Sequence, residues 1–114
     1  MYLNEFDATM QLIQGKWKIY LLYEIAENQI ARFNQLSRSL PNISNKILTS
    51  QLRELEQDGL IQREIFPEIP PRVEYQLTAK GQSLMPVLDV ICQWGLTNVP
   101  TTELTEILCD EREN

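Results

Sequence analysis

"LPNISNKILTSQLRELEQDGLI", residues 40–61, opens on a proline turn and closes at a glycine. Leu48, Leu52 and Leu55 recur at the spacings of a single helical face. At roughly 100° per residue, Lys46, Ser50, Arg53 and Gln57 fall on the opposite side, flanked by Asn45 and Thr49. Ser44 suits the N-cap of this helix, and Gly59, following Asp58, supplies its stop. A helix with one leucine stripe ordinarily turns its polar residues to solvent. The flanking segments argue for a more specific use of that outer face.

Upstream, "FNQLSRSL" (33–40) reads as one to two helical turns with Phe33, Leu36 and Leu40 inward, ended by Pro41. Two short helices joined by a tight turn form the helix-turn-helix arrangement. Downstream, Val73, Tyr75 and Leu77 alternate with Glu74 and Gln76, the period of a half-buried strand. "LIQREIF" (60–66) is β-rich and close enough to pair with it. Between them "PEIPP" (67–71) makes a stiff exposed loop. A β-hairpin directly after a helix-turn-helix is a wing.

Outside this nucleus, "DATMQLIQ" (7–14) reads as a first helix with Asp7 as its N-cap. Gly15 then interrupts it before "KWKIYLLYEIAEN" (16–28), where Trp17, Leu21, Leu22 and Ile25 form an apolar face. "IARF" (30–33) is extended. Thr78 caps a last long helix carrying Leu84, Val87, Leu88, Ile91 and Trp94.

The expected fold is therefore mainly α with a small β-hairpin wing (α+β). It is a winged helix-turn-helix in one domain spanning residues 1–114. The helix-turn-helix occupies about 33–58 and the wing about 60–78, with terminal helices at 5–28 and 79–108. In that geometry the outer face of the 45–57 helix is set to enter a DNA major groove.

The chain has 114 residues, 43% apolar and 23% charged, a globular balance for one modest core. No apolar run approaches the roughly 18 residues that span a bilayer. The amino terminus "MYLNEFDATMQ" lacks a signal peptide's basic and apolar regions, so a cytoplasmic location is expected. Histidine is absent and there are two cysteines, too few ligands for structural zinc. Histidine-based acid/base and triad chemistry is excluded as well. No Gly-rich phosphate loop or clustered nucleophile and base suggests an enzyme, and no cofactor is expected. Cys92 reads as a small buried hydrophobe, and Cys109 as exposed near the terminus. A disulfide between them is disfavoured in a reducing compartment.

The net charge of −6 is unevenly spread. Residues 1–31 carry −2, residues 32–80 carry +1 and residues 81–114 carry −5. No Asp or Glu occurs from Asn28 to Arg53, a stretch that holds Arg32, Arg38, Lys46 and Arg53. A local cationic stretch matters more to a phosphate backbone than total charge does. The acidic end "TELTEILCDEREN" reads as a solvated helix and tail. A winged helix serving only as a protein-interaction module is the alternative, but its outer helix face would be acidic or apolar.

"GKWK", "RFNQL", "ISNKILTSQLRELEQDGLI", "REIFPEIPPRVEYQLTAKGQSL" and the closing "WG" resemble the HxlR-type winged-helix regulators of bacteria and archaea, relatives of the MarR group. The resemblance runs from about Asp7 to Gly95. It implies a small homodimeric transcriptional regulator, commonly a repressor, bound to pseudo-palindromic promoter DNA. It leaves room for a small-molecule effector without identifying one.

Carried over by position, it puts Ser44, Asn45, Lys46, Thr49 and Ser50 at the groove. Asn45, Lys46 and Ser50 are the candidates for base edges. Arg53 and Arg72, the latter at the wing tip, are candidates for phosphate or minor-groove contact. Arg32, Arg38 and Lys80 are further candidates for the backbone. Leu12, Leu84, Leu88, Ile91 and Trp94 are candidates for the dimer interface. Many relatives carry a Cys-Pro pair before the first helix and some sense oxidants through it. The matching positions here are Asn4 and Glu5, so a thiol switch of that type is not expected.

Overall fold

In a computed structural model that describes residues 1–40 and 42–108, the elements follow the expected order. They are α1 (Glu5–Ile13), α2 (Lys18–Asn28), β1 (Ala31–Arg32), α3 (Phe33–Ser39), α4 (Asn45–Gln57), β2 (Ile61–Phe66), β3 (Arg72–Leu77) and α5 (Ala79–Asn98). The three strands form one antiparallel sheet in the order β1-β3-β2, with Ile61 opposite Leu77 and Phe66 opposite Arg72.

Local chemistry accounts for most boundaries. The Ile47 N–H donates to Ser44 Oγ at 3.1 Å, capping α4, a contact worth about 1 kcal/mol. At the other end Gly59 adopts φ +77°. Its N–H donates to the Glu56 carbonyl and that of Leu60 to the Leu55 carbonyl, both at 3.0 Å, which is the Schellman stop. The Gly81 N–H donates to Thr78 Oγ1 at 3.0 Å, capping α5 as the sequence suggested.

Leu21, Leu22 and Ile25 of α2, Leu36 of α3, and Leu48, Leu52 and Leu55 of α4 meet Leu60, Ile61, Tyr75 and Leu88 in one buried core. Each buried leucine of α4 contributes about 1.5–3 kcal/mol relative to exposure. That stripe fixes which way the helix presents its polar face.

The structure corrects the terminal regions. α1 begins at Glu5, because the Asn4 carboxamide caps it by accepting the Asp7 N–H at 2.9 Å. Asp7 lies one turn further in and accepts the Leu3 N–H at 2.8 Å. Two Asx residues three apart share the cap. α5 ends at Asn98 rather than near 108, and a single 3-10 turn follows at Thr101–Glu103. Pro100 explains the stop, since its ring disfavours helical backbone at Val99 and it lacks an N–H. The segment beyond folds back, with Tyr20 Oη donating to Glu106 Oε2 at 2.7 Å.

Leu104, Ile107 and Leu108 line an apolar pocket against Cys92 and Leu96 of α5 and Val99 just beyond it. Cys92 is half-buried and disulfide-bonded, which overturns the expectations of a free core thiol and of no disulfide; its side of α5 faces this returning segment. Pro41 and Cys109 lie outside the described residues. No helix among the described residues is long and apolar enough to cross a membrane.

Candidate nucleic-acid interface

α4 carries Asn45, Lys46, Ser50 and Arg53 on its exposed side, with Thr49 half-buried beside them. Together with Glu54 and Gln57 these residues line one shallow surface groove. Ser44 is exposed but spends its hydroxyl on the cap. Asn45 Oδ1 accepts from Ser37 Oγ at 3.4 Å, a long contact that ties α4 to α3 across the turn. Ile47, which the periodicity argument passes over, is 42% exposed beside Lys46. An apolar side chain there suits a thymine methyl.

Pairing divides the cations into two groups. Lys18 Nζ lies 2.7 Å from Glu54 Oε1, Arg63 Nε 3.4 Å from Glu56 Oε1, and Arg72 is flanked by Glu68 at 3.2 Å and Glu74 at 3.4 Å. Arg32, Arg38, Lys46 and Arg53 have no carboxylate partner among the described residues. These four are the cations of the acid-free stretch. No carboxylate among the described residues neutralises them.

Lys18 was not singled out by sequence reasoning, yet it is the one buried charged residue among those described. Its ammonium reaches from α2 to Glu54 in the last turn of α4 and ties the two helices together. "GKWK" marks the position, but its partner lies far along the chain and no local pattern links them.

Two of the expected contact residues are engaged elsewhere. Arg72 stands at the first position of β3 rather than at the wing tip. Its guanidinium lies 4.0 Å from the centre of the Phe66 ring and between two carboxylates, so its charge is balanced within the hairpin although its buried Nε makes no hydrogen bond. Lys80 Nζ donates to the Asp58 carbonyl at 2.8 Å. That places it at the C-terminal end of α4, ~18 Å along the helix from Lys46, where it stabilises unpaired carbonyls. Arg32 and Arg38 line a cleft between α3 and the wing loop, whose opposite wall runs from Glu68 to Val73.

The residues expected at a dimer interface also divide. Leu88 is 2% exposed and belongs to the core of the single chain. It lies on the inward side of α5 and is unavailable to a second copy. Leu12 and Leu84 pack partly against that core. Ile91 and Trp94 are 48% and 65% exposed. Val87 and Val90 share their side of α5, and Phe6 and Met10 are exposed on α1.

This geometry coincides with that of known proteins. The model of HxlR-like helix-turn-helix proteins matches residues 12–103. The chain belongs to the HxlR-like helix-turn-helix family. It is 48% identical over 93 residues to an HTH-type transcriptional regulator of Halalkalibacterium halodurans, covering 82% of each chain. It is 47% identical over 94 residues to another from Methanothermobacter thermautotrophicus, covering 82% of this chain and 71% of that one. Among solved structures, the redox regulator HypR in its reduced form superimposes with a TM-score of 0.80 at 40% identity, over 88% of this chain and 98% of that one. This HxlR-like protein is thus a transcriptional regulator of winged-helix fold, and its relatives are regulators rather than enzymes.

Proposed function

We propose that this HxlR-like chain binds duplex DNA sequence-specifically as a homodimer and represses transcription from pseudo-palindromic promoter sites. The observation that carries the reading is that all four cations of the acid-free stretch, Arg32, Arg38, Lys46 and Arg53, lack acidic partners among the described residues and lie on or before α4. In this reading α4 lies in the major groove, with Asn45, Lys46 and Ser50 at base edges and Arg53 on phosphate. A second copy covers Val87, Val90, Ile91 and Trp94, and its two-fold axis matches the symmetry of the site. The names of the relatives support regulation of transcription, and the charge arrangement supports binding to DNA.

The test is selection of genomic fragments by the purified protein, followed by affinity measurements over a salt series. Three or four phosphate contacts per protomer give a slope of log affinity against log salt of about −5 to −7 for a dimer. No enrichment of any sequence, or a slope near zero, would overturn the reading.

A further inference from the structure

Wings reach DNA most simply with a cation, and Arg72 was the expected one. The structure removes that option. From Ile61 to Leu77 the hairpin carries two arginines and three glutamates, a net −1. Both arginines are paired, Arg63 with Glu56 and Arg72 with Glu68 and Glu74. Nothing in this charge pattern draws the wing toward phosphate.

The tip is nevertheless firmly built. Pro67, Pro70 and Pro71 fix the backbone on both sides of residues 68–69. The Glu68 N–H donates to the Phe66 carbonyl at 2.8 Å, and the Glu68 carboxylate is held by Arg72. Arg72 in turn packs over Phe66. What this small stiff structure presents is Ile69, a fully exposed side chain at the lip of the cleft walled by Arg32 and Arg38. A single exposed aliphatic residue is ordinary on a protein surface. This one is flanked by three prolines and an ion pair and shares a cleft with two arginines without acidic partners among the described residues, which sets it apart.

We infer that the wing meets DNA through Ile69 as an apolar contact in the minor groove, while Arg32 and Arg38 hold the phosphates of the strand that runs through the cleft. The inference rests on the DNA-binding reading above. An apolar tip inserted at a groove senses width and base-step deformability rather than a donor–acceptor pattern. It adds affinity without releasing counterions, so its contribution is independent of salt.

The experiment measures affinity of wild type, Ile69→Ala, Arg32→Ala and Lys46→Ala on the selected fragment across a salt series, with hydroxyl-radical footprints of each complex. Ile69→Ala is expected to weaken binding by about fivefold to tenfold, as for partial burial of one aliphatic side chain, with the salt slope unchanged. Minor-groove protection at the wing position disappears while protection under α4 persists. Its melting temperature stays at the wild-type value because the side chain is fully exposed. Arg32→Ala is expected to make the slope shallower by about one unit per protomer. Loss of affinity in Lys46→Ala, with Ile69→Ala binding and footprinting as wild type, would overturn this inference and leave the DNA-binding reading intact. Absence of binding by the wild type would overturn both.

Discussion

The recognition helix α4 and the wing lie side by side and carry similar numbers of charges, yet they treat them in opposite ways. On α4 the leading polar face holds Lys46 and Arg53 without carboxylate partners among the described residues, while Glu54 and Glu56 are turned to Lys18 and Arg63. In the wing every arginine is answered by a carboxylate. One region leaves its positive charge unpaired and the other consumes it in holding its own shape. Net charge therefore does not locate a binding surface; pairing does.

Disturbing what joins the two regions should have the largest effect. A Cβ on Gly81 would sit 2.1 Å from the Leu60 carbonyl oxygen, the same oxygen that accepts the Thr78 N–H at 3.1 Å. Gly81→Ala must push α5 away from the end of α4 and the base of β2. A loss of about 2–3 kcal/mol in urea unfolding is expected. An unchanged midpoint would show that this junction is softer than its packing implies.

Next in size is the groove contact. Lys46→Ala should cost about 1–3 kcal/mol in specific binding and relax preference at one base position, measured by anisotropy on variant sites. An equal loss on random DNA would move Lys46 from base to phosphate. Lys18→Ala sharpens the comparison from behind the helix. It leaves Glu54 without its cation, at a cost of about 1–2 kcal/mol, reduced because Glu54 is half-exposed. Lys18→Met, which keeps the buried stem, should lose less stability. Operator affinity in both should fall with the loss of the tie between α2 and α4.

The smallest effect concerns neither region but the returning C-terminal segment. The hydrogen bond to Glu106 pushes the Tyr20 phenol up to about 12. A raised folded-state value means this contact contributes fully below about pH 10 and is lost as pH rises toward 12. Absorbance titration should lose a late-ionising tyrosine in Tyr20→Phe, leaving Tyr75, whose phenol burial also pushes up. Titration of that phenol near 10 would mean the segment is not docked on α2.

Much of this was legible in the sequence because it is locally written. The leucine stripe of α4, the Ser44 cap, the Gly59 stop, the alternation of β3 and the Thr78 cap are each read within a few residues. What escaped depends on residues far apart or on close competitors. Lys18 and Glu54, or Tyr20 and Glu106, meet only after folding. Arg72 looked like a free cation because its partners Glu68 and Glu74 carry no sign in the sequence that they turn toward it. Leu88 looked like surplus apolar surface because periodicity finds a stripe without saying which part the chain itself covers. Asp7 reads as the first cap, yet Asn4, an Asx residue three positions earlier, does the capping, and nothing local ranks one above the other.

The central claim is that the unpaired cations on and before α4, and not the paired charge in the wing, are what meet the phosphates. The most direct measurement is the salt dependence of binding for Arg53→Ala and Arg72→Ala on the same selected fragment. Arg53→Ala should make the slope shallower by about one unit per protomer. Arg72→Ala should leave the slope at its wild-type value even if a loosened wing lowers affinity. A shallower slope in Arg72→Ala, with none in Arg53→Ala, would contradict the account.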